Sequence, residues 1–98
     1  MERKYGWLIT KDHVSDGDDE RVFGPRNSAF NPKYIMDHPG KQAFKMYDDD
    51  GELYYEGFIV IEEDDGELDF APLDEFGMPN AGATEIHYQN KQGEWKPL

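Results

Sequence analysis

The chain contains no cysteine among its 98 residues. Disulfides, thiolate metal sites and cysteine nucleophiles are therefore excluded, and a reducing cytoplasm is the expected compartment. Long apolar runs are also missing. The run Tyr5-Gly6-Trp7-Leu8-Ile9 is strand-length, too short for the apolar region of a signal peptide and far from a transmembrane span. The third absence is the most informative. Between Met46 and Asn90 there is no Lys or Arg, while 14 of those 45 residues are acidic. The flanking segments are close to neutral, with 7 acids against 8 bases over residues 1–45 and 1 against 2 over 91–98. The formal charge of −12 thus originates in the middle of the chain. Such a field would repel anionic membranes and nucleic acid, and it favours basic partners. It does not specify a reaction.

Catalytic and metal-binding sets are likewise sparse. His13, His38 and His87 are far apart in sequence, without metal-ligand spacing, and read as ordinary surface or turn residues. Ser15 and Ser28 lie in polar stretches that lack the strand-turn-helix context of an activated serine. Acids are plentiful, but turn carboxylates in water do not provide two environments that push pKa values apart. No enzyme, catalytic residue or cofactor is expected. Calcium is a weaker alternative. Asp12–Phe23 begins like an EF-hand loop, but Val14 replaces an oxygen ligand and Phe23 replaces the closing Glu. Asp48-Asp49-Asp50 and Glu62-Glu63-Asp64-Asp65 would gather hard cations only weakly, so no metal site is assigned.

What the chain does have is alternation. The apolar share is only 37%, but 14 aromatic residues supply large buried areas. The apolar residues fall in short alternating runs between turn residues, which argues for a folded domain over disorder. Tyr5, Trp7 and Ile9 predict a strand over 5–10, and Arg21-Val22-Phe23 a short second strand ending at Gly24-Pro25. Asn31 before Pro32 is an N-cap followed by proline at the first helical position, predicting a helix over 32–38 that stops at Pro39-Gly40. Asp49-Asp50-Gly51-Glu52-Leu53 recurs as Asp64-Asp65-Gly66-Glu67-Leu68, with a weaker echo at Lys91-Gln92-Gly93-Glu94-Trp95. Asp-Gly between alternating runs marks hairpins, giving strands at about 42–49, 52–62, 67–73 and 83–90 and a loop over 74–82.

The expected fold is therefore mainly β (α+β). It is one domain over residues 1–98, an antiparallel meander of about four to six strands with one short helix near 32–38. A two-residue loop at Asp50-Gly51 would place Tyr47 opposite Tyr54, Met46 opposite Tyr55 and Lys45 opposite Glu56. Phe44, Met46, Leu53, Tyr55, Ile59 and Ile61 then share an apolar face, extended by Leu68, Phe70, Ile86 and Tyr88. Glu52, Glu56, Glu67, Asp69, Glu85 and His87 fall on the other face.

The core Tyr47-Asp48-Asp49-Asp50-Gly51-Glu52-Leu53-Tyr54-Tyr55-Glu56-Gly57, with Gly24-Pro25-Arg26 before it and Pro72–Gly82 after it, resembles short uncharacterised proteins encoded by bacteria and their phages. The resemblance covers about two-thirds of the chain and implies a small stand-alone protein. No common activity is attached to those proteins, so no functional residue carries over. By analogy with small acidic phage proteins that block host defence nucleases, the charge suggests a non-enzymatic binding module, a nucleic-acid mimic for a basic groove. At about one charge per 1.7 Å of duplex, 14 acids match about 24 Å of DNA, against a radius of gyration of about 13 Å for a domain of this size. The candidate partner-binding residues are Glu52, Glu56, Glu62, Glu63, Asp64, Asp65, Glu67 and Asp69, with Tyr47, Tyr54 and Phe58 as aromatic anchors. The alternative is a generic small soluble domain with a regulatory role, its acids serving solubility. Direct nucleic-acid binding is not expected.

Overall fold

The computed structural model describes residues 4–13, 22–25, 28–62 and 70–97. In chain order the elements are β1 (Tyr5–Asp12), β2 (Val22–Gly24), α1 (Pro32–Asp37), β3 (Gln42–Tyr47), β4 (Leu53–Ile61), a π-helical turn (Leu73–Gly77) that runs into α2 (Met78–Ala81), β5 (Glu85–Gln89) and β6 (Trp95–Pro97). The strands form one antiparallel sheet in the order β2-β1-β4-β3-β5-β6. This is the mainly β architecture expected, but it is not a simple meander. β1 and β3 flank β4, and β5 pairs with β3. Burial explains the placement: Tyr5 through Ile9 are all buried, so β1 is covered on both faces and takes an inner position.

Alternation divides the buried residues between the two faces. Tyr5, Trp7, Ile9, Phe44, Met46, Tyr55, Ile59, Ile86 and Tyr88 form the main core together with Ala71, Leu73 and Ala83. Leu8 and Val60 point the other way and meet Phe30 and Ile35 beneath α1. Each large apolar side chain fully removed from water contributes about 1.5–3 kcal/mol, so the aromatic residues offset the low apolar share. The α1 boundaries follow the expected chemistry. Asn31 Oδ1 accepts from the Tyr34 N–H at 2.8 Å, Pro32 opens the helix, and it closes before Pro39-Gly40.

The expected strand over 67–73 and loop over 74–82 are corrected. Residues 63–69 lie outside the described residues, and residues 71–81 are helical, packing onto the main core. Gly77 and Gly82 act here as packing and capping residues. A Cβ on Gly77 would stand 2.5 Å from Met46 Sδ, so glycine lets the helix approach the sheet. Gly82 has φ +73° and ends α2, its N–H bonded to the Met78 carbonyl at 3.0 Å. Glu75 fastens the segment to β1, accepting from the Tyr5 hydroxyl at 2.6 Å and from Trp7 Nε1 at 2.7 Å. Ser28 is structural as well, donating to the Tyr5 carbonyl at 2.7 Å and accepting from the Phe30 N–H. Among the described residues no helix is long and apolar enough to cross a membrane.

The tightest contact between strands is at Gly57. A Cβ there would sit 2.0 Å from the Leu8 carbonyl oxygen and 2.9 Å from Phe44 Cζ. A backbone atom cannot rotate out of the way, so β1 and β4 would have to part. Gly57→Ala should therefore destabilise the protein by about 1–3 kcal/mol, read as a lower urea midpoint with an unchanged slope. A variant as stable as the wild type would show that this approach is not a constraint.

Candidate functional site

The β3–β4 hairpin closes through a three-residue loop rather than the two-residue loop expected. The Asp48 N–H bonds the Glu52 carbonyl at 3.0 Å and the Gly51 N–H bonds the Asp48 carbonyl at 3.1 Å, enclosing Asp49, Asp50 and Gly51. Gly51 sits at φ +82°, the left-handed residue such a loop requires. The additional residue makes Tyr54 a bulge, so Tyr47 lies opposite Leu53, while Met46–Tyr55 and Lys45–Glu56 pair as expected. Asp48 locks the turn from inside. Its Oδ1 accepts from the Asp50 and Glu52 N–H groups, each at 2.8 Å, and its carboxylate also accepts from the Tyr54 hydroxyl.

The turn between β5 and β6 repeats this construction. The Asn90 N–H bonds the Glu94 carbonyl at 2.8 Å, the Gly93 N–H bonds the Asn90 carbonyl at 3.0 Å, and Gly93 has φ +84°. Asn90 Oδ1 accepts from Gln92 and Glu94 N–H, each at 2.9 Å, as Asp48 Oδ1 does in the other turn. The faint sequence echo is thus a true structural copy. The copy is built with Asn, Lys and Gln where the first turn has three consecutive Asp. Because adjacent strands are antiparallel, the two turns sit at opposite ends of the sheet.

The end that bears the Asp turn gathers carboxylates from separate elements. Glu85 pairs with Tyr47 at the base of the turn, and Asp12 pairs with Tyr55 at the end of β1. Asp12, Asp48, Asp49, Asp50, Glu52 and Glu85 therefore share one end of the sheet. Among the described residues none of Asp48, Asp49, Asp50 and Glu52 is held in an ion pair. Glu52, at this end, is exposed. Two other candidates are engaged locally. Glu56 faces Lys45 across the strands and pairs with His13 Nε2 at 2.8 Å. Glu62 accepts from the Tyr34 hydroxyl and lies 3.3 Å from His38 Nε2. The Gly40 N–H donates to His38 Nδ1 at 2.8 Å, which leaves Nε2 as the protonated nitrogen facing Glu62. That bond to Glu62 raises the Tyr34 pKa above its usual value. Glu63, Asp64, Asp65, Glu67 and Asp69 lie outside the described residues, as does Ser15.

The face expected to be acidic proves mixed in sign. Cross-strand pairing puts Lys11, Glu56, Lys45 and His87 in one row, with Tyr47 and Glu85 in the next. Tyr47 packs on His87 with ring centroids 4.5 Å apart, and Phe58 leans on the core under α1. Tyr54 is half-buried against the main core rather than a free anchor. Among the described residues no group of three or more His, Asp or Glu side chains is arranged to hold a metal. Asp12, the start of the EF-hand-like stretch, is the last residue of β1, and residues 14–21 of that stretch lie outside the described residues. Comparison of the chain with protein-family models, curated proteins and solved structures finds no match.

The Asp48 carboxyl is held below its ordinary value, first by the Glu52 N–H and then by the Tyr54 hydroxyl and neighbouring turn N–H groups, with partial desolvation opposing them. A depressed folded pKa gives stability that is present above the unfolded value and lost as pH falls through the folded one. Asp48→Asn, whose amide oxygen can accept as Asn90 does but which carries no charge, should be less stable than the wild type near neutral pH, with the gap closing as pH falls below 3.8, the ordinary value. Thermal melts of both proteins across this range measure it. A constant gap between them at every pH would contradict the assignment.

Proposed function

We propose that the protein is a non-enzymatic binding module that presents the acidic end of its sheet to a basic groove of another protein, in the manner of a nucleic-acid mimic. The observation that supports this most directly is the duplicated turn. Lys91 and Gln92 occupy the positions of Asp49 and Asp50 in a turn with the same hydrogen bonds and the same left-handed glycine. The geometry of the turn therefore does not demand the charge at Asp49 and Asp50. Acids grouped without a structural task repel one another, and a basic partner relieves that repulsion. The extents of 35 × 29 × 22 Å leave room for charges spread over about 24 Å, the length of duplex DNA with 14 phosphates. Asp49, Asp50 and Glu52 lead the proposed contact; Glu63, Asp64, Asp65, Glu67 and Asp69, which follow β4 in the sequence, remain further candidates. Glu56 and Glu62 contribute less, since their carboxylates already have partners. The absence of cysteine fits a binder that works in a reducing cytoplasm.

A transplant of one turn onto the other tests this reading. Asp49→Lys/Asp50→Gln should fold with a melting temperature at or above that of the wild type, because Lys91 and Gln92 already serve in that geometry and the exchange removes mutual repulsion. Proteins captured by the wild type from a host lysate should be released by salt and displaced by duplex DNA. The variant should associate with them about 10-fold more slowly or worse. Capture indifferent to salt and to the variant would overturn the proposal and leave the acids to solubility.

A further inference from the structure

Acids outnumber bases 22 to 10 in this chain, so most lysines would be expected to find carboxylates. Around the groove on the sheet face that α1 leaves partly uncovered, four do not. Among the described residues Lys11, Lys41, Lys45 and Lys91 make no ion pair. Two of them lie over rings instead: Lys41 Nζ is 5.7 Å from the Phe58 centroid and Lys45 Nζ is 4.3 Å from the Trp95 centroid. These residues border a groove. Its larger part, about 570 Å³, is walled by Lys41, Gln42, Phe58, Asn90 and Lys91. Ala43 and Phe58 continue into a second hollow of about 290 Å³ bounded by Lys11, Glu56 and Trp95.

The pairing of β3 with β4 and β5 explains the hollow. Phe58 lies opposite Ala43, and Gln89 lies opposite Trp95 on the edge strand. Ala43 is thus a low point between two half-buried rings, whose strands are about 14 Å apart by strand spacing. Phe58 and Trp95 nonetheless line the same hollow, so Trp95 leans inward over β3. The two ends of the groove differ in whether a carboxylate is present. Lys41 and Lys91 occupy one end without a carboxylate, while at the other Lys11 is accompanied by Glu56.

We infer that this groove binds a nucleoside monophosphate, with the phosphate between Lys41 and Lys91 and the base over Ala43 between Phe58 and Trp95. The lysines supply the anion site and the rings supply stacking, while the Gln42 and Asn90 amides add polar walls. The volume is in the range of small-ligand pockets. A single nucleotide is favoured over a strand because the acidic end of the same sheet would repel further phosphates. This site is separate from the acidic end and stands or falls independently of it.

The test is a titration of isotope-labelled protein with AMP, GMP, CMP and UMP at low ionic strength, followed by amide chemical shifts and tryptophan fluorescence. Trp7 is buried, so a fluorescence change would report Trp95. At least one nucleotide should bind with a Kd on the order of 1 mM or tighter, with shifts confined to residues 41–45, 58 and 89–95. Ala43→Leu, which fills the hollow at a half-exposed position, and Lys41→Glu/Lys91→Glu should each weaken binding at least about tenfold while keeping the wild-type dispersion of amide shifts. Inorganic phosphate and the free nucleoside should each bind more weakly than the nucleotide. No shift at up to about 10 mM of any nucleotide would overturn the assignment, as would phosphate alone binding equally well. Tighter binding of a single-stranded oligonucleotide through the same residues would also overturn it, since the site would then read a strand.

Discussion

Everything in this fold depends on the close seating of β4 between β1 and β3, which Gly57 makes possible. Opposite Gly57 on one side is Ile9, with the Leu8 carbonyl too near to admit a Cβ, and on the other side is Phe44, whose ring covers the missing side chain. With β4 held there, period-2 alternation determines the rest. Tyr55 and Ile59 turn to the main core, while Glu56, Phe58 and Val60 turn to the opposite face. The helical segment over 71–81 covers the first face, and α1 covers only the β1–β4 part of the second. The remainder of the second face stays open, and it carries lysines and rings.

The distribution of charge follows from the same pairing. A strongly acidic chain has become a molecule whose ends differ. One end is the Asp turn with its neighbours Asp12 and Glu85, and the other is the Asn turn with Lys91 beside Lys41. The two turns are built by one set of hydrogen bonds, which separates what a turn needs from what it happens to carry. It needs an oxygen at Asp48 or Asn90 and a left-handed glycine three residues later. It does not need the negative charges at Asp49 and Asp50.

Much of the fold is legible in the sequence where one local rule acts alone. The Asn31-Pro32 start of α1 and the alternation of β3, β4 and β5 are of this kind, and so is the pairing of Met46 with Tyr55. The single-residue slip at Tyr54 was not legible, because two- and three-residue loops share the Asp-Gly signal and differ only in which strand carries a bulge. The helical segment was missed for a related reason. Gly77, Pro79 and Gly82 read as loop punctuation, whereas the first fits beneath Met46, the second lies in the first turn of α2 and the third caps it. For the acidic site the composition was legible but the partners were not. Nothing in the sequence near Glu56 or Glu62 names His13, Tyr34 or His38, which the fold brings from 24 to 43 residues away. The lysine groove was invisible for the same reason, since Lys41 and Lys91 meet only through the pairing of β3 with β5.

The central claim is that the charge of Asp49 and Asp50 at the acidic end is carried by the fold without being used by it. The most direct measurement is the melting temperature of the wild-type protein as sodium chloride rises from about 10 mM to about 150 mM, where the Debye length shortens from about 30 Å to about 8 Å. Screening should relieve repulsion among the clustered carboxylates, so the melting temperature is predicted to rise. A fall over that range would mean that the acids are held in stabilising ion pairs, and would contradict the account.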